Sequence, residues 1–310
     1  MARAVFKETP RARMHLSLHR FLMRLCAATV AAFLWIFIFE YFAILTTIGH
    51  ALISTVLLYA LCQTTTILLT PFALKRLRGG MRRALVYGVL LHLAALVFLG
   101  VLLLGIFPHG LVAIALLLGA HRAFYRVPYA VEYAALGRPR TLDLFWEIIL
   151  ALAPLAGGIF ISASALPAQL FFAAALLSAF SLLPIFSIPN VHETFAWGYR
   201  ETFAHLAAPE NRRVLLSSVR QGIQGAALFL VWPFVLLFVF GGSPVGIGAA
   251  FSATLLIVLL FRASRRRVVV EEHADGGTFM DEYTALKEMG LALGRLVLAF
   301  ALVLALTLLQ

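Results

Sequence analysis

Hydrophobic residues along this chain fall into long blocks separated by short basic stretches, with neither the alternation of a half-buried strand nor the one-sided stripe of a surface helix. A helix crossing the ~30 Å hydrocarbon layer needs about 20 mainly apolar residues, because every backbone polar group there must be paired within the helix. Nine blocks meet that requirement: Cys26 to Thr47, Ala51 to Leu74, Ala84 to Leu104, Leu111 to Ala130, Leu142 to Ile161, Ala168 to Ile188, Val214 to Phe240, Val245 to Phe261 and Leu286 to Leu309. The 44 residues from Ile148 to Val191 hold no Asp, Glu, Lys, Arg or His. They are too many for one crossing, and Ser162, Ser164 and Pro167 divide them into a helical hairpin. The pattern predicts an all-α polytopic transmembrane helical bundle of about nine transmembrane helices. Composition agrees, since 62% of the 310 residues are hydrophobic and 13% charged, with mean hydropathy +0.96, against roughly half and a quarter in soluble domains.

The charged residues then orient the layout. Lys and Arg should collect on the cytoplasmic side of alternate loops. Six precede the first span (Arg3 to Arg24), five lie at Lys75 to Arg83, and groups of four lie at Arg122 to Arg140, Arg200 to Arg220 and Arg262 to Arg267. The turns near Thr47, Pro108, Ala165 and Gly242 hold no charged residue. This places the N-terminus in the cytoplasm, the C-terminus on the opposite side and the protein in the cell inner membrane. The first apolar run is too long for an ordinary cleaved signal and counts as a true span. The net charge of +11 marks orientation rather than a nucleic-acid partner, because no basic face interleaves with aromatics on a soluble module. Cys26 and Cys62 sit inside apolar runs and form neither a disulfide framework nor a paired metal site.

The longest polar connector, Asn190 to Arg213, carries Phe195, Tyr199, Phe203 and Leu206 at helical spacing opposite Glu193, Arg200 and Glu201, as an interfacial amphipathic helix would. It divides the chain into a six-helix bundle over 1–189, a linker over 190–213 and a shortened three-helix bundle over 214–310. Six spans, a long cytoplasmic connector and further spans resemble the plan of the major facilitator superfamily. The loop from Leu74 to Arg83, with Gly79 and Gly80 followed by Arg82 and Arg83, resembles that family's basic loop, although the family's Asp is missing. Ala153, Pro154, Gly157 and Gly158 resemble the end of its Gly-Pro motif, and the run from His121 to Tyr129 resembles its Arg-bearing fourth helix. Glu147, Leu150, Ala151 and Leu152 are echoed at the same spacing by Glu288, Leu291, Ala292 and Leu293. In this family helices five and eleven are related by the pseudo-twofold between halves. The echo is either a trace of that relation, with counterparts of helices nine, ten and twelve absent, or a coincidence of common residues.

Ionisable groups within hydrocarbon are costly and are functional candidates by default. Glu40 reads as an interfacial carboxylate or as a proton or cation coupling site. His121 and Arg122 fall near mid-depth of the fourth span, about 15 to 18 Å from its outer end at 1.5 Å per residue. Arg122 either faces a water-filled cavity, where its planar fork would hold an anionic or carboxylate-bearing group, or pairs internally with Glu147. Tyr125 lies one turn further on. In the seventh span Gln221 and Gln224 cluster with Gly222 and Gly225 and are candidates for a cavity wall. Pro154 and Pro233 are places for bends or simply packing residues.

Motifs for nucleotide binding (GxxxxGK[ST]), zinc proteolysis (HExxH) and a nucleophile elbow (GxSxG) are absent, so no enzyme activity and no cofactor are expected. Two readings follow. One is a secondary transporter moving a small-molecule solute through the lipid bilayer, with proton or ion coupling and homo-oligomerisation open. The other is a non-transporting membrane scaffold or degenerate transporter remnant. The orientation is directly testable: an impermeant thiol reagent applied outside cells should leave a cysteine beside Gly79 (Arg78→Cys) unlabelled and should label one appended after Gln310.

Overall fold

The computed structural model describes residues 10–106, 110–136, 143–164, 166–190, 195–265 and 280–309. These are all-helical, without strands, and among them nine helical segments are long and apolar enough to cross a membrane. Their order is α1 (Pro10–Ala31), α2 (Leu34–Leu45), α3 (Ile48–Lys75), α4 (Met81–Leu103), α5 (Leu111–Leu136), α6 (Asp143–Ala163), α7 (Ala168–Phe180), α8 (Leu182–Ile185), α9 (Tyr199–Ala207), α10 (Arg212–Ala226), α11 (Trp232–Val239), α12 (Pro244–Arg265) and α13 (Met280–Leu308). Loops rich in Lys and Arg, such as Lys75–Arg83, define a basic face; the turns at Thr46–Thr47 and Phe240–Ser243 lie at the opposite face. Large apolar side chains such as Leu57, Leu68, Leu116, Leu176, Ile257 and Leu304 stay exposed around the outside, as a lipid-facing surface requires.

The first crossing differs from its expected form. It starts at Pro10, so much of the basic N-terminal stretch is helical. Leu16, His19 and Met23 are buried there, because the amphipathic turns preceding Cys26 pack beside α7 and α8. The crossing is interrupted at Ala32–Phe33, where the Phe33 N–H bonds the Val30 carbonyl at 3.0 Å. The seventh crossing is interrupted too. A π-helical turn over Ala227–Val231 joins α10 to α11, immediately before Pro233, whose missing N–H and bulky ring disfavour a regular α-turn.

The connector helix is shorter than its periodicity implies. It spans Tyr199–Ala207, and Gly198 precedes it with its N–H bonded to the Glu201 carboxylate. Phe195 lies outside that helix. It is buried outside any helix against Leu74, Leu77 and Met81, so its apolar side chain serves a small core at the basic face instead of a membrane-facing stripe. Glu193 and residues 266–279 lie outside the described residues.

Helices α1–α8 and α10–α13 interlock. Between them α6 packs along α12, α3 along α13, and α2 meets α11. Within them α1 lies on α6 as α10 lies on α13, and α2 lies on α3 as α11 lies on α12. Each contact of the smaller bundle therefore has a counterpart in the larger one, and the two seams between bundles exchange under the same correspondence. Small residues make the seams close, as expected where helices associate without a hydrophobic drive. A methyl group at Gly248 of α12 would lie 2.5 Å from the Pro154 carbonyl oxygen of α6. Beside it, the Leu155 N–H donates to Ser252 Oγ at 3.0 Å, so a hydroxyl of α12 accepts from the backbone just after the proline inside α6.

Gly248→Ala should therefore lower stability by about 1–3 kcal/mol, the usual cost of overpacking, read as an earlier unfolding transition in detergent. Gly79→Ala, where an added methyl meets nothing within 4 Å, should leave the transition unchanged.

Candidate functional site

Between the bundles lies a cavity of about 470 Å³. Its wall takes Arg24, Ala27, Ala28 and Ala31 from α1, Leu34 and Trp35 from α2, Tyr59 from α3, His92 from α4 and Leu118, His121, Arg122 and Arg126 from α5. Glu147, Leu150 and Ala151 of α6 continue it, and the second bundle supplies Gly225, Leu228, Phe229, Leu255, Val258, Leu259 and Arg295. The interruptions at Ala32–Phe33 and Ala227–Val231 both fall at this wall. Toward the opposite face lie aromatic contacts: Trp35 meets Tyr59 edge-on at 5.1 Å, and Phe39 meets Phe234 at 5.6 Å and Phe238 at 6.1 Å between ring centres. The residues nearest the basic face in the wall are Arg24, Arg126 and Glu147.

Arg122 lies on this wall, and its guanidinium donates to Gln63 Oε1 on α3 at 2.8 Å. The internal pair proposed for Arg122 and Glu147 does not form. Glu147 is instead engaged by Arg24, whose guanidinium donates through both terminal nitrogens, one of them at 2.7 Å. The reason is register: Glu147 is in the first turns of α6 beside α1, while Arg122 is turned toward α3. Tyr59 and Glu288 lie within electrostatic reach of Arg122, and Arg122 and Arg126 lie within reach of Arg295.

His121 joins the wall and also a polar ladder. Its Nδ1 lies 2.8 Å from the Gly88 carbonyl, which requires the proton on that nitrogen. Its ring stacks on His92 at 4.4 Å and on Tyr125 at 5.3 Å, and Tyr125 stacks on Tyr129 at 5.8 Å. Tyr125 lies behind the wall. Its hydroxyl donates to His19 Nε2 at 3.0 Å, while His19 Nδ1 bonds the Ser181 carbonyl at 2.8 Å. Hydrogen-bonded and stacked rings thus lead from the cavity toward the basic face.

Gln221 and Gln224 are exposed and outside the wall. Gln221 shares the stripe of Gly225 and Leu228 but sits a turn nearer the basic face, where it donates to Ser217 Oγ at 3.4 Å. Glu40 is half-buried near the end of α2, beyond the aromatic contacts, and takes no part in the wall. Arg24, Arg126, His92 and Arg295 were not singled out by sequence as site residues. Arg295 carried a usable signal, because it is a cation at the middle of a long apolar helix. Among the described residues no cluster of three or more His, Cys, Asp or Glu could hold a metal.

A double-mutant cycle of Arg24→Ala and Glu147→Ala, read from unfolding in detergent, should show a coupling of about 1 kcal/mol, modest because both side chains are partly solvent-accessible. Strict additivity would contradict the bidentate pair. No protein-family model matches this chain, and no curated protein is significantly similar to it.

Proposed function

We propose that this multi-pass membrane protein is a secondary active transporter of the major-facilitator type, moving a small solute across the cell inner membrane by alternating access. The observation that carries the reading is the cavity, whose wall is drawn from α1–α6 and from α10, α12 and α13 and includes Arg122. A site at a repeat interface near the midplane is what rocking of one bundle against the other needs. Wall residues reach toward the basic face while Phe39, Phe234 and Phe238 meet toward the other, the shape of an inward-facing state if the basic face is cytoplasmic.

The helix pairing supports the family reading. Spans seven, eight and nine relate to one another and to the larger bundle as spans one, two and five do, the correspondence expected if the final helix is the counterpart of helix eleven. Glu147 and Glu288, the echoed acids, then occupy equivalent helices, one in the cavity wall and one within reach of Arg122. The alternative, a non-transporting scaffold or remnant, draws support from the three-helix second bundle.

Vesicles reconstituted with the protein and challenged with labelled sugars, amino acids, organic acids and organic phosphates should show uptake of at least one solute. That uptake should fall roughly ten-fold or more in Arg122→Ala, the loss of one charge-assisted hydrogen bond. A folded protein without flux for any of these solutes would favour the scaffold.

A further inference from the structure

The cavity holds four arginines and one carboxylate in its wall. Glu147 is taken by Arg24, which leaves Arg122, Arg126 and Arg295 with no carboxylate in ion-pair contact among the described residues. Glu288 is within electrostatic reach of Arg122 and Arg295 without lining the cavity. Counting it, the central cluster keeps an excess of two positive charges.

Such an excess is unfavourable as it stands. Arg122 and Arg126 are one helical turn apart, where like charges repel, and Arg295 approaches both from the other bundle. Arg126 is exposed, whereas Arg122 and Arg295 are partly withdrawn from solvent; cations drawn away from bulk water need opposite charge or dense hydrogen bonding, and Gln63 supplies Arg122 with one neutral acceptor. Guanidinium forks match carboxylate and phosphate oxygens in pairs. The volume falls within the ~300–1,000 Å³ of small-molecule sites, more than a bare inorganic anion fills. Besides His92 and His121, the rest of the wall is apolar or aromatic, with Trp35, Tyr59, Phe229 and the stripe Ala27, Ala28 and Ala31.

We infer that the cavity binds a small organic dianion, its two negative charges held by Arg122, Arg126 and Arg295 and its apolar or aromatic body set against Trp35, Tyr59 and Phe229. The inference rests on the transporter reading only for its biological sense, since binding itself needs no transport. It also gives that reading a means of coupling. Arg122 and Arg126 belong to the first bundle and Arg295 to the second, so a dianion bridges the two parts that must move, and its charge neutralises repulsion across the seam.

The test is binding to purified protein in phosphatidylcholine nanodiscs near neutral pH, followed by calorimetry, with phenyl phosphate and succinate as dianions, benzoate as the monoanion and benzyl alcohol as the neutral probe. At least one dianion should bind about ten-fold or more tightly than benzoate or benzyl alcohol. Arg295→Gln and Arg126→Gln should each weaken it about ten-fold, and Lys75→Gln, on the basic surface, should not. Equal affinity for benzoate or benzyl alcohol, or no dianion binding by protein with an intact unfolding transition, would overturn the inference without requiring any variant to fold. Phosphatidic acid in the discs should leave dianion binding unchanged; competition would assign the same phosphoryl chemistry to a lipid headgroup and overturn the soluble solute. Vesicle flux separates the two ideas. Dianion binding without any flux removes the transporter reading and leaves this one standing, whereas flux of a neutral solute without dianion binding does the reverse.

Discussion

The fold depends on one constraint: a guanidinium cannot remain at the centre of a hydrocarbon layer without water or an acceptor. Arg122 and Arg295 both lie within helices long and apolar enough to cross a membrane. The helices must therefore stand apart at that level and enclose polar space, which is where the cavity lies. Gln63, Tyr59 and the histidine rings cluster around it for the same reason. The Arg24–Glu147 pair limits the charge excess near the basic face while tying α1 to α6.

Away from that space the opposite rule applies. Where no polar group needs room, glycines let backbones touch: Gly157 of α6 against Thr29 of α1, Gly119 of α5 against Cys62 of α3, and Gly222 and Gly294 across α10 and α13. Helices are thus packed tightly where glycines face backbone, and stand apart only around the cavity. Sites with positive φ are confined to turns, such as Gly80 at +104°, beside which Asn190 accepts from the Arg82 N–H at 3.2 Å. That contact fastens the loop between α3 and α4 to the chain leaving α8.

Much of this was legible in the residues. Apolar blocks of the right length marked the crossings, since hydrocarbon leaves the backbone few alternatives. Arg122 was legible as a cation set beside His121 well inside an apolar block. Arg24 was not, because a basic stretch ahead of an apolar run reads as a flank, whereas here helix continues through it and brings Arg24 to Glu147. Phe195 fitted a helical period but was claimed by a core made of distant residues, Leu74, Leu77 and Met81. Gln221 and Gln224 illustrate a limit of type alone: polar amides beside glycines suggest a wall, yet one turn along the helix decides between wall and rim. The break at Ala32–Phe33 carries no proline or glycine and left no local mark. The π-turn at Ala227–Val231 was marked only by Pro233.

That π-turn has an angular consequence. A five-residue hydrogen-bonded ring accommodates one more residue than an α-turn, and one residue in an α-helix is worth about 100° of rotation. Everything after Val231 is thereby turned about the axis relative to α10, and it is this phase that brings Phe234 and Phe238 onto Phe39 while Phe229 remains in the cavity wall. Ironing the bulge into plain α-helix would swing the aromatic stopper off its seat by more than a quarter turn without changing a single side chain. The aromatic contact away from the basic face is therefore encoded in backbone winding as much as in the rings that form it.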